Sequence, residues 1–147
     1  MELGSNLRMS EVSAAIGIVQ LSNLDDWVER RRQIAAKYDE AFRNLHFVSI
    51  PKVRPGAEHA WHQYCLFSDK AQELVKYLDE NNIDSRIYYS KPCHHQAVFV
   101  NHPQFEEPFE VTDEIAGNLV AIPVMHELAD QEVAHIISTI TNFEIND

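Results

Sequence analysis

The chain of 147 residues holds only four glycines, and none falls into a G-x-G-x-x-G or P-loop spacing. A phosphate-cradling glycine loop needs several residues free to adopt left-handed backbone, so none is expected. Cysteine is as scarce. Cys65 and Cys93 stand far apart and form no CxxC pair, which excludes a disulfide framework and suits a reducing, cytoplasmic setting. Positive charge is also short: 12 Lys+Arg against 23 Asp+Glu give a formal net charge of −11. Binding a nucleic-acid backbone draws on clustered cations, so no nucleic-acid partner is expected. No apolar run nears the roughly 20 residues needed to cross a bilayer, and no basic-then-apolar leader opens the chain. No membrane partner is expected either.

What is present reads as one globular domain over 1–147, because the length suits a single core and 45% of residues are hydrophobic. Val12, Ala15, Ile16 and Val19 recur three or four apart, so a helix is expected from an N-cap at Ser10. The spacing predicts a second, longer helix from Leu24 through Trp27, Val28, Ile34, Ala35, Tyr38 and Phe42 to Leu45, with "SNLDD" as the bend between the two. Residues 1–23 thus form a leading segment with a connecting helix, and 24–147 form the long helix and what packs on it. The run Arg30-Arg31-Arg32 follows Asp25, Asp26 and Glu29 at helical spacing. It reads as a solvated face supported by those carboxylates rather than an anion site.

Past His46 the pattern changes. "HFVSIP" is a short β-like run ended by Pro51, and Pro55-Gly56 marks a turn. "AWHQYCLF" (60–67) and "IDSRIYY" (83–89) are expected strands, with a helix around Ala71, Leu74, Val75 and Leu78 between them, stopped at Asn81-Asn82. An ordered loop over 90–110, a short helix near 112–118, the brief apolar run "LVAIPV" and a last helix near 128–142 complete the chain. Val133, Ile136, Ile137 and Ile140 are its expected buried face. Strands without regular crossover helices point to an α+β fold, a small and mainly antiparallel sheet with flanking helices.

Three constellations could carry chemistry. The eight histidines include "HAWH" (59–62) and "CHH" (93–95) with His102, but His59 and His62 on a strand would face opposite sides. The set lacks the compact paired spacing of a zinc site, so no metal is expected. Glu106-Glu107 reads as a solvated loop pair rather than a general acid–base couple. The opening stretch "GSNLRMSEV" places Gly4, Asn6 and Arg8 before a helix N-terminus. An amide and a guanidinium there could hold an anion. A plain capping turn with Arg8 in a surface ion pair explains the same residues.

The stretch "LGSNLRMSEVSAAIGIVQLSNLDDWVERRRQIAAKYDEAF" resembles the G-x-N-x-R-M…A-A-x-G…Q-L…L-D…R-R…A…Y signature of the DegT/DnrJ/EryC1/StrS sugar aminotransferases. "HAWHQY" is similar to that family's His-x-x-His-x-Tyr-like strand, "IYYSKPCHHQAVF" to its Tyr-x-x-Pro-x-His loop, and "LVAIPVMHELADQEVAHII" to its closing segment. The resemblance implies the C-terminal (small) domain of a fold type I enzyme that uses pyridoxal 5'-phosphate (PLP) to aminate nucleotide-linked keto-sugars. It implies a homodimer in which Asn6 reaches the phosphate of the partner subunit's PLP. It places Arg8 in the same region and His94 at the sugar-nucleotide pocket, so both are candidate substrate-binding residues. His95, directly after His94, leaves a choice of one residue in register, and Cys93 stands where the family has a larger aliphatic residue.

The same resemblance puts the Schiff-base lysine, the acidic partner of the pyridine nitrogen and the phosphate cup upstream, on a large PLP-binding domain absent here. Lys37, Lys52, Lys70, Lys76 and Lys91 match none of these positions. No catalytic residue is therefore expected in this chain, and it is expected to hold no cofactor and to be inactive alone. Two other readings remain: a stand-alone, non-catalytic binding or dimerisation module, and a part of a PLP-dependent sugar dehydratase of the same family.

Overall fold

The computed structural model describes residues 8–99 and 109–143. Its longest element is α1 (Glu11–Phe42), capped as expected by Ser10, whose side chain accepts from Ser13 N–H at 3.1 Å. The expected break at "SNLDD" does not occur. Ser22 Oγ and Asn23 Nδ2 each donate to Val19 O at 2.8 Å, so the two polar side chains are satisfied on the helix's own backbone and the axis continues. The single helix is about 48 Å long at 1.5 Å per residue.

Only its second half enters the core. Ile34, Ala35, Tyr38 and Phe42 are buried, while Val12, Ile16, Ile18, Val19, Leu21 and Leu24 remain exposed. The run from Leu24 to Leu45 is therefore one stripe whose outer end stands in solvent. Trp27 is half-buried, stacked on His126 with ring centroids 4.5 Å apart.

The remaining elements are β1 (Tyr64–Phe67), α2 (Ala71–Glu80), β2 (Arg86–Ile87), a 3-10 turn (Cys93–His95), α3 (Glu110–Ile115), β3 (Leu119–Ile122) and α4 (Asp130–Thr141). The sheet order is β1-β3-β2, antiparallel throughout, with Tyr64 opposite Ile122 and Arg86 opposite Ala121. The α+β expectation holds, but its central strand comes from "LVAIPV", whose short apolar stretch shows no alternation to mark it. The expected strands over 60–67 and 83–89 shrink to four and two residues. "HFVSIP" contributes only an isolated bridge between Ser49 and Phe67.

Trp61 shows why the first strand starts late. Its φ of 49° is incompatible with a strand, and its N–H donates to His59 Nδ1 at 2.8 Å. His59 and His62 thus lie before β1 rather than on it. The α2 stop at Asn81-Asn82 is as expected: Asn82 takes φ 59°, and Ile83 N–H reaches back to Leu78 O at 2.9 Å. Gly117, at φ +84°, makes the turn that feeds β3.

α4 presents Val133, Ile136 and Ile140 to the core, with Ile137 at its margin. Asp130, at its first turn, accepts from Lys37 at 2.8 Å and Arg30 at 3.0 Å, so α1 and α4 are tied by charge as well as by packing. Among the described residues no helix is long and apolar enough to cross a membrane.

Candidate functional site

A cavity of about 510 Å³ opens where β2 runs into the 3-10 turn, closed on the far side by α3. Pro92, extended at φ −65° and ψ 161°, sets the chain direction so that His94 enters the wall. The His94 side chain is 11% exposed, and its Nε2 lies 2.8 Å from Asp113 Oδ1 on α3. An ionised carboxylate only accepts, so Nε2 carries the proton and Nδ1 is left as the variable atom: an acceptor on the neutral ring, a donor on the charged one. Phe109 lies against the other side of the ring, centroids 4.7 Å apart. Tyr88, Tyr89, Lys91, Gln96 and Thr112 add polar groups to the lining, and Ile115, Ala116 and Leu119 add apolar ones. A largely apolar concavity with one oriented imidazole is suited to binding an organic ligand through a few directed hydrogen bonds.

Of the residues singled out from sequence, Asn6 and Gly4 lie outside the described residues, as do His102 and Glu106-Glu107. Arg8 is described, is exposed, and does not line the His94 cavity. His94 does. Asp113 went unnoticed in the sequence because the contact spans 19 positions, and nothing local marks it.

His94, His95 and Asp113 could each offer one metal-ligating atom, all within 4.8 Å of one another. The interaction the structure shows there is a hydrogen-bonded pair, with His95 Nε2 at 3.5 Å from the same carboxylate. Cys93 and His62 join no such group among the described residues, and His59 is engaged by the Trp61 backbone.

A PLP seat needs a lysine, a carboxylate for the ring nitrogen and a cup for the phosphate. Lys91 is the one lysine among the residues described as lining the cavity, no carboxylate lines it, and Asp113 behind the wall is already committed to His94. The described residues do not assemble that seat.

A small three-stranded antiparallel sheet with flanking helices is the architecture of the C-terminal domain of fold type I PLP-dependent aminotransferases. Two crystal structures share it: Streptomyces venezuelae DesV in complex with a ketimine intermediate (TM-score 0.84, 25% identity, 94% of this chain and 37% of that one), and a DegT DnrJ EryC1 StrS aminotransferase from Brucella abortus (TM-score 0.84, 29% identity, 95% and 37%). The profile of the DegT/DnrJ/EryC1/StrS aminotransferase family matches residues 1–141, and the chain belongs to that family, as a C-terminal part of it. It is 32% identical to the dTDP-3-amino-3,6-dideoxy-alpha-D-galactopyranose transaminase of Aneurinibacillus thermoaerophilus, over 95% of this chain and 38% of that protein. It is 28% identical to the erythromycin biosynthesis sensory transduction protein EryC1 of Saccharopolyspora erythraea, over 93% and 37%. The chain thus spans little more than a third of the length of the relatives it matches.

Proposed function

We propose that this chain is the C-terminal domain of a PLP-dependent aminotransferase acting on a nucleotide-linked keto-sugar, in which it supplies one wall of the substrate pocket and contacts between subunits. The observation that carries the reading is His94, hydrogen-bonded to Asp113, in the wall of the 510 Å³ cavity. It falls on the loop whose Tyr-x-x-Pro-x-His pattern borders the sugar nucleotide in the family. In this reading His94 Nδ1 meets a polar group of the sugar nucleotide, Asp113 fixes the ring, and Phe109 limits its rotation. Asn6 reaches the PLP phosphate of a partner subunit, with Arg8 nearby. The catalytic lysine comes from the two thirds of the family's length that this chain does not span. The apolar outer half of α1, with Val12 72%, Ile16 58% and Val19 65% exposed, is the face that the rest of the assembly covers.

The test is a titration of the isotope-labelled chain with a dTDP-linked sugar, followed through the ring resonances of His94 and Phe109. Saturable shifts at these two rings, lost in His94→Ala, support the reading. Shifts absent at millimolar ligand, or unchanged in the variant, overturn it.

A further inference from the structure

The expectation of no metal rested on the spacing of histidines in the sequence, and the fold adds a ligand that spacing cannot show. The 3-10 turn Cys93–His95 is closed by His95 N–H, which donates to Pro92 O at 3.1 Å. It brings two consecutive imidazoles to centroids 4.2 Å apart, tilted by 59° rather than stacked. Both turn an Nε2 to the same oxygen, Asp113 Oδ1, at 2.8 Å from His94 and 3.5 Å from His95. The shorter contact is a hydrogen bond. The longer one exceeds ordinary hydrogen-bond length, so His95 is held beside a carboxylate that His94 already occupies. One ligating atom from each of the three residues lies within 4.8 Å of the other two.

A zinc ion bonds imidazole nitrogen and carboxylate oxygen at about 2.0–2.2 Å, which sets neighbouring ligands of a tetrahedron about 3.4 Å apart. The His95–Asp113 pair is already near that separation. The His94–Asp113 pair reaches it by opening roughly 0.6 Å as an ion replaces the hydrogen-bonded proton. The side chains of Asp113 and His95, 41% and 52% exposed, are free to make that shift, while His94 is held against Phe109. α3 also carries Glu110 and Glu114, against Lys91 on the loop, so the local charge favours a cation. His95 and Asp113 are not among the residues described as lining the 510 Å³ cavity, which puts their shared position behind the His94 ring.

We propose that His94, His95 and Asp113 bind one divalent transition-metal ion of the zinc type, through the two Nε2 atoms and one carboxylate oxygen, with water in the fourth position. Two imidazoles select such an ion over magnesium or calcium, which take oxygen ligands. An ion on Nε2 moves the proton of the neutral His94 ring to Nδ1, which then donates and no longer accepts. The ion thereby sets what His94 offers a ligand. That consequence rests on the role given to His94 above, whereas the binding of the ion does not.

The metal-stripped, 15N-labelled chain is titrated with zinc chloride and, separately, with magnesium chloride, at a pH where the rings are neutral, reading the imidazole nitrogen signals. Zinc saturates at one ion per chain, converts His94 from the Nε2–H to the Nδ1–H tautomer and shifts His95 with it, and magnesium does neither. His95→Gln and Asp113→Asn each weaken zinc binding at least about tenfold, since even outer-shell partners of a metal are worth that much, and Cys93→Ser leaves it unchanged. His95 is exposed, so its variant keeps the fold even if Asp113→Asn does not. No saturable shift in excess zinc, shifts spread evenly over the histidines, undiminished binding in His95→Gln, or binding lost in Cys93→Ser overturns the proposal. The titration with the dTDP-linked sugar is made without zinc, so a failure of that reading and a failure of this one are seen separately.

Discussion

Tyr38→Phe removes one oxygen from the centre of the fold. The Tyr38 hydroxyl donates to Pro123 O at 2.8 Å, and the residue is wholly buried between Phe42 and Tyr64, with ring centroids 5.5 and 5.2 Å away. Phenylalanine fills the same space, so no cavity opens and the cost is the hydrogen bond with its orphaned carbonyl. A net hydrogen bond contributes about 1 kcal/mol, and a buried acceptor left unpaired raises the loss to about 1.5–2 kcal/mol. With a urea slope of about 2 kcal/mol/M for a chain of this size, the unfolding midpoint falls by roughly 0.8–1 M. The assay is urea unfolding at pH 7, followed by far-UV circular dichroism.

The same group gives a pH signature. Burial pushes the Tyr38 phenol well above its ordinary value of 10.0. The folded chain keeps the proton that the unfolded chain releases, so the stability tied to this proton is intact below pH 10 and is lost as pH climbs towards the folded value. The variant lacks that term, so its deficit narrows above pH 10. A midpoint unchanged to within about 0.2 M at pH 7 would refute the reasoning, since a buried, partnered hydroxyl would then contribute nothing.

Four shorter predictions follow from the same contacts. Leu78→Ala, at a position with no solvent exposure on α2, lowers stability by about 2–5 kcal/mol in the same assay. Native-state labelling with a disulfide reagent modifies the exposed Cys93 at least about tenfold faster than Cys65, whose partial burial raises its thiol pKa and thins its thiolate. Hydrogen bonds from Lys37 and then Arg30 hold the Asp130 carboxyl below its ordinary value. Its contribution is therefore present above pH 4 and lost as the pH falls through the lowered value, and Asp130→Asn flattens that acid-side fall in thermal unfolding scans. Ile16→Asp, on the exposed half of α1, shifts the chain towards monomer in sedimentation velocity; a wild-type chain that is monomeric at every concentration contradicts the role given to that face.

The elements legible in the sequence were those that announce themselves locally. Ser10 caps α1, Asn81-Asn82 end α2, and Val133, Ile136 and Ile140 face inward at helical spacing. What escaped depends on contacts that no local pattern encodes. The central strand Leu119–Ile122 carries no alternation because it is flanked on both edges and largely buried. The predicted bend in α1 failed because Ser22 and Asn23 hydrogen-bond backward onto Val19 instead of diverting the chain. At the candidate site, His94 was legible through its motif, whereas Asp113 became its partner only through the packing of α3 against the loop. The expected solvated face of Arg30-Arg31-Arg32 failed because Arg30 donates to Asp130 and the Leu128 carbonyl, and Arg32 to Glu58 and the His59 carbonyl, all far along the chain.

The central claim is that this chain brings a pocket wall and contact surfaces to the aminotransferase while the reactive lysine lies elsewhere in the family's length. The most direct measurement incubates the purified chain with PLP, dialyses it, and records the visible absorbance of lysine-bound cofactor. The account predicts that no such band survives dialysis and that glutamate is not converted to 2-oxoglutarate. A band that persists, with one PLP per chain and turnover of glutamate, would contradict it.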